Sequence, residues 1–326
     1  MTVQRTLLTL GAAFAVAALA LAPVRNATAA SGGLAWDSVS KMAAGTDAAT
    51  IEPGSFDADY AKAAAVVVPS DTGGGGFLNK MKSAVATGKA AVATMQTGLA
   101  EKHYVAGPKE RTDSVSYGKA TIIDCVARTL TTLDMRKKTY RVESLDARAK
   151  SEPATTAHGQ PEPEATDDGT KVAIDLKTTA IGRKEVGGTN ADGYRSVTKI
   201  TSTKPSGETN TTDADMLAYY SPYALPLVEC DRFGSRAGQQ HAVSMTVGFA
   251  RLTEAMMMAG KDKRFTMTHS GPALPTGKLA VFEATSFKGD QPSAPAATFL
   301  NERGNVRSIG VDDPIFSVPA DFTKES

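Results

Sequence analysis

Histidine and cysteine are the side chains of this protein best suited to acid–base, nucleophilic or metal chemistry, and it has four of the first and two of the second. His103 falls at the edge of a strand or helix, His158 in an acidic loop, His241 at a helix start and His269 beside Ser270-Gly271. None is spaced with Asp, Glu or Cys as a metal-ligand set, so each is expected to be a surface or edge residue. The chain has no GxSxG elbow, HExxH, GxGxxG or GxxxxGK[ST]. The carboxylate pairs Asp57/Asp59, Asp213/Asp215 and Asp312/Asp313 fit turns, where Asp side chains accept from backbone N–H groups. Catalytic residues, a metal and a cofactor are therefore not expected, and the chain is read as a non-enzyme.

The cysteines leave two readings open. Cys125 and Cys230 could close a loop of about 100 residues, as exported chains often do. Alternatively, one is a buried free thiol and the other an exposed one.

A third feature is EAMMMAG, Glu254 to Gly260. On a helix from about 239 to 259, Met245, Phe249, Leu252 and Met256 form one stripe, which is expected to face a sheet. Met258 falls on the other side with Val243 and Val247, and Met257 lies between the two. A helix apolar on opposite sides is normally covered on both. Val243, Val247, Met257 and Met258 are thus candidate lining residues of a pocket for an apolar molecule, with ordinary core packing as the alternative. Copper(I) binding by the thioethers is disfavoured, because no His or Cys stands at ligand spacing.

Several elements must position these residues. Residues 1–29 read as a secretory signal peptide: Arg5 is basic, Leu7 to Leu21 are apolar, Pro23 breaks the run, and Ala27-Thr28-Ala29 fits a cleavage site. The run is shorter than the roughly 20 apolar residues of a membrane span. The mature protein is expected in the periplasm or outside the cell, without a membrane-spanning segment. Loss of Arg5 and Arg25 takes the formal charge from +1 to −1, a balance that implies no nucleic-acid partner. Residues 30–76, rich in Ala, Gly, Ser, Thr and Asp and ending in four glycines, read as a mostly disordered leader. Residues 77–326 read as one domain with a loop insertion at 151–169, which holds three prolines and five acidic residues.

Within that domain, Leu78, Met81, Val85, Val92, Met95 and Leu99 predict an amphipathic helix over 77–99. Val172, Ile174, Leu176 and Ala180 alternate with polar residues, the pattern of a strand with one wet face. The segment ATIIDCVARTL, apolar at successive positions, predicts a single central strand. Further strands are expected near 111–117, 138–145, 193–203, 208–220, 263–269, 277–287, 297–303 and 305–310, with Gly304-Asn305 as a hairpin turn. Successive strands on short turns predict an antiparallel sheet.

Three blocks also carry a resemblance. ATIIDCVARTLTTLDMRKKTYRVESL holds Ile123-Asp124 and Lys138-Thr139-Tyr140, TNADGYRSVTKI holds Gly193-Tyr194, and NVRSIGVDDPIFSVPADF ends in Val318-Pro319 and Phe322. In scattered pieces over 105–322, the chain resembles exported bacterial proteins of uncharacterised function related to the LolA and LppX lipoprotein-carrier superfamily. The acidic insertion and the Gly-rich leader depart from that pattern. The resemblance implies an α+β fold: a strongly curved antiparallel sheet, a half-open barrel, whose concave face is covered by amphipathic helices around an apolar pocket. It implies a non-catalytic carrier of a lipid or other apolar molecule. The alternative is an envelope interaction or structural protein with a filled core, whose partner is another envelope protein.

Overall fold

The computed structural model describes residues 32–44, 46–68, 89–146, 169, 171–226, 265–289 and 297–325. Thirteen strands form one sheet: β1 Gly33–Ala44, β2 Leu99–Ala106, β3 Lys109–Ser114, β4 Lys119–Asp124, β5 Thr129–Asp134, β6 Thr139–Ser144, β7 Lys171–Val186, β8 Thr189–Thr203, β9 Thr209–Ala224, β10 Phe265–Ser270, β11 Lys278–Gly289, β12 Ala297–Ile309 and β13 Thr323–Lys324. Their order is β10-β7-β8-β9-β11-β12-β1-β2-β3-β4-β5-β6-β13. Neighbours are antiparallel except at the two edges, where β10 joins β7 and β13 joins β6 in parallel.

This corrects the expected half-open barrel with helix-covered concave face. The sheet is mixed, and it does not close. Among the described residues there are two α-helices, α1 Phe56–Ala64 and α2 Lys89–Thr97. The apolar stripe read as a helix through Leu99 ends earlier, because Gly98 takes a positive φ of 102° and Leu99 opens β2. Residues 77–88 of that stripe lie outside the described residues. Period-two alternation establishes that one face of a strand is buried. It carries no information on whether the outermost strands meet.

Two strand assignments also change. ATIIDCVARTL is a hairpin, not one strand. Asp124 Oδ1 accepts from the N–H groups of Val126 and Ala127, both at 2.9 Å, and Arg128 turns the chain at a φ of 53°. Ten residues on, Asp134 accepts from Arg136 and Lys137 at 3.1 and 3.0 Å and Lys138 turns at 55°. The repeated spacing is thus a repeated turn. Gly304-Asn305, read as a hairpin, lies inside the continuous strand β12. There the ladder to β1 shifts register between Ala35 and Asp37, Asn305 adopts a φ of 54°, and its Nδ2 donates to Asp37 Oδ2 at 3.0 Å. A side chain at Gly304 would collide with the Phe56 ring, at 2.4 Å from a Cβ.

The segment read as a disordered leader supplies β1, which pairs with both β12 and β2 in the middle of the sheet, as well as α1. Directly opposed residues in antiparallel strands share a face, which sorts the sheet into two sides. One side carries the helices. Phe56 and Ala63 of α1 pack on Val39 and Ala100, and Lys41 Nζ bonds Asp59 of α1 at 2.7 Å and Glu302 of β12 at 2.8 Å. Ala48, Leu217, Phe282, Ala284 and Leu300 form a cluster further along the same side. The C-terminal segment completes it, with Phe316 on Ala35 and Tyr104, and Val318 and Phe322 on Ile122 and Leu133.

Cys125 lies in the β4–β5 turn beside Ile123, Leu130 and Leu145, and it is disulfide-bonded. The chain's other cysteine, Cys230, is outside the described residues. Thiol titration of the denatured, unreduced protein is expected to find no free thiol, and reduction to cost about 4 kcal/mol if the bond closes the loop of about 100 residues to Cys230. Two free thiols per chain would refute the pairing.

Candidate functional site

The side of the sheet away from the helices buries polar side chains on adjacent central strands. The ladders place Trp36 opposite His103, His103 opposite Thr112, Ser38 opposite both Glu101 and Arg303, and Asn301 opposite Glu283. These residues therefore project from one face of β3, β2, β1, β12 and β11 in turn. Alternation allows this: LAWDSVS sends Leu34, Trp36 and Ser38 to this side and Ala35, Asp37 and Val39 to the other. Across the sheet the face continues through Ala218 and Met216 of β9 to Ser196 and Thr198 of β8 and to Thr178 and Leu176 of β7. All of these are buried except Glu101, which is partly exposed.

Arg303 is 2% exposed. Its Nη1 donates to Glu283 Oε2 at 2.8 Å and to the Ala280 carbonyl. Charge pairing makes this burial tolerable, since an isolated guanidinium would carry a desolvation cost of several kcal/mol. His103 stacks on Trp36 with ring centroids 5.1 Å apart, and its Nε2 meets Ser38 Oγ at 2.9 Å and Glu101 Oε2 at 3.6 Å. Burial, aided by the nearby Arg303 charge, pushes the imidazole down to about 3, so it is neutral at physiological pH.

Ser, His and Glu side by side raise the question of a hydrolytic relay. A relay needs the acid on one ring nitrogen and the hydroxyl on the other. Here both approach Nε2, so the geometry is not that of a relay.

What distinguishes the cluster is what it leaves unpaired. Trp36 Nε1, His103 Nδ1, Thr112 Oγ1, Asn301 Oδ1 and Arg303 Nη2 are buried with no hydrogen-bond partner among the described residues. Thr198 Oγ1, further along the same face, is another. Buried polar atoms are nearly always satisfied, and each orphan costs about 1–3 kcal/mol. Five such atoms lie on one face of the adjacent strands β3, β2, β1 and β12. On the helix side, Tyr60 Oη is similarly unpaired, but it stands alone there.

Glu110 lies on the same face as Thr112, paired across the ladders with Val105 and Ile123. Desolvation among these apolar neighbours raises its carboxyl to about 7.

No family model, curated protein or solved structure matches this chain.

The expected site residues fare unequally. Val243, Val247, Met257 and Met258 lie outside the described residues, as do His158 and His241. His269 is exposed on β10, as expected for an edge residue. His103 is not a surface residue but a buried one. Asp213 and Asp215 are within β9 rather than a turn, with Asp215 paired to Arg195 of β8. Among the described residues, no group of three His, Cys, Asp or Glu side chains could hold a metal ion. Sequence reasoning missed Trp36, Ser38, Arg303, Glu283 and Asn301, because each is ordinary in its own strand and they meet only through the β11-β12-β1-β2 pairing. A usable signal was the run of polar residues inside an otherwise strand-like TFLNERGNV.

Two outcomes follow. Replacing an unpartnered atom by an apolar group of like shape removes its burial penalty, so Thr112→Val is expected to raise stability by about 1 kcal/mol in urea unfolding, whereas Arg303→Met breaks the buried ion pair with Glu283 and is expected to lower stability by about 3 kcal/mol. The pH dependence has two opposed parts. Glu110, raised in the folded state, contributes stability present below its unfolded value and lost as pH rises towards 7; His103, lowered in the folded state, contributes stability lost as pH falls from about 6.5 towards 3. Glu110→Gln is expected to remove the decline between about pH 4.5 and 7 in melting-temperature profiles, leaving the acid-side loss in place.

Proposed function

We propose that this is an exported, non-catalytic binding protein of the periplasm or the extracellular space that carries an amphipathic, lipid-like molecule on the polar-lined face of its sheet. One observation carries the reading: the buried polar atoms of Trp36, His103, Asn301 and Arg303 that lack partners on adjacent strands. A protein stabilised only for its own sake would replace them with apolar groups or pair them. A bound molecule satisfies them. Beside them the face is apolar, where Met216, Ala218 and Tyr220 cluster with Leu274 and Ala280, and this part suits a hydrocarbon portion. The signal-peptide pattern of residues 1–29 supports export.

Among the described residues, no helix is long and apolar enough to cross a membrane. A carrier that meets its cargo at a membrane and leaves with it must screen the cargo's apolar part from water. An apolar stretch adjoining a polar cluster provides for both ends of such a molecule.

Mass spectrometry under non-denaturing conditions, on protein purified from its own cell envelope, tests the reading. The expected result is a complex heavier than the mature polypeptide by the mass of one small organic molecule, which is released on denaturation. A bare polypeptide mass would leave the protein without a cargo and refute the proposal.

A further inference from the structure

Three connections at one end of the β2–β6 meander are bound into a single surface. Val68 N donates to the Ser116 carbonyl and Met135 N to the Gly118 carbonyl, each at 2.9 Å. Arg136 donates from Nη1 to the Val68 carbonyl and from Nη2 to the Ser116 carbonyl, both at 3.0 Å. One guanidinium therefore holds together the chain leaving α1, the Val115–Tyr117 turn between β3 and β4, and the β5–β6 turn. Gly118 closes against it, since a Cβ there would lie 2.5 Å from Arg136 Nε.

An apolar side chain stands on either side of this link. Val67 is 73% exposed and Met135 38%. Their surroundings are basic: the segments 62–68, 115–119 and 134–138 hold Lys62, Lys119, Arg136, Lys137 and Lys138 against one acidic residue, Asp134. The Asp134 Oδ1 is occupied by the backbone N–H groups of Arg136 and Lys137. Two further carboxylates compensate in part, Asp321 at 2.8 Å from Lys138 and Asp59 at 3.7 Å from Lys62. Five basic groups against three acidic ones leave a local net charge of +2. The charge of the chain as a whole is close to balanced, so this excess belongs to one end of the sheet.

We infer that this end of the sheet rests on a membrane surface carrying anionic lipid, with Val67 and Met135 entering the headgroup region and the basic side chains facing the lipid charges. Each lysine or arginine near such a surface adds attraction, and burial of the two apolar groups adds to it. The Arg136 links hold the two tips in place before contact, so little freedom is lost on binding. Isolated apolar tips on turns suit a fluid interface, which needs no matching pocket, better than a protein surface, which does. None of these residues belongs to the polar-lined face, and the contact does not depend on a cargo.

Co-sedimentation of the mature protein with vesicles tests the inference. Binding is expected to vesicles of phosphatidylcholine with about 30% phosphatidylglycerol, to be at least tenfold weaker with phosphatidylcholine alone, and to be lost on raising salt from about 0.1 M to about 0.5 M. Lys137→Glu and the double variant Val67→Ser/Met135→Ser are each expected to weaken it by about tenfold with the melting temperature unchanged, because the three side chains are exposed. Lys171→Glu, an equal change of charge at the exposed start of β7, is expected to leave binding as it was. Equal weakening by Lys171→Glu and Lys137→Glu would overturn the placement of the contact at this end. No co-sedimentation with the anionic vesicles would overturn the membrane assignment and favour an acidic protein as the counterpart of this surface, while a cargo found by mass spectrometry would still stand.

Discussion

The ladder of hydrogen bonds that runs from β12 through β1 to β2 holds the molecule together. On one side of it lie β10, β7, β8, β9, β11 and β12, and on the other β2 to β6 and β13; β1 is the strand through which the two groups form one sheet. A strand in that position is paired on both sides over Leu34–Ser40, apart from the bulge at Ala35/Asp37, so its removal would expose two new edges, each an unpaired row of N–H and C=O groups. The ladder also aligns side chains. Because β1 sits between β12 and β2, Ser38 faces Arg303 on one neighbour and Glu101 on the other, and the polar cluster exists only while that register holds.

The two faces of this strand do different work. Val39 and Lys41 anchor α1, through apolar contact and through the Asp59–Lys41–Glu302 ion pairs. Those pairs bridge a helix and two strands that are far apart in the chain, and they are partly shielded from solvent, which limits screening. Trp36 and Ser38 project the other way into the unpaired polar set. One face of the central strand therefore stabilises the fold, while the other carries groups that weaken it. Local violations of the burial rules, with stability supplied elsewhere, are the pattern from which the binding function is proposed.

The Arg303–Glu283 pair shows the same division. As a contribution to stability a buried ion pair is weak, because desolvation of both groups offsets their attraction. Its value here is geometric: with Nη1 held by Glu283 and the Ala280 carbonyl, the guanidinium plane is fixed and Nη2 is presented with little freedom left to lose. His103 is held similarly, by the Trp36 ring on its face and Ser38 at Nε2.

The sequence by itself determined a good deal. The alternation of Ile174 and Leu176 with Asp175 and Lys177 marked β7 and its buried side, Gly193-Tyr194 fell within a strand, and successive strands on short turns indicated antiparallel neighbours, which holds everywhere but at the two edges. These are local properties, set by side-chain periodicity and turn chemistry within about ten residues. Where the local signal was ambiguous it misled. Asp124 and Arg128 made a turn out of an apolar run, and Gly304-Asn305 made a bulge where a hairpin was expected. The segment around β1 reads as leader because short, small and polar residues cannot show that two distant strands will supply its hydrogen bonds. Only the tertiary structure decided that the sheet stays open, that β1 is central, and that Trp36, His103, Asn301 and Arg303 share one face. Strand pairing across hundreds of residues depends on which edges are available when the chain collapses, and no single segment encodes that.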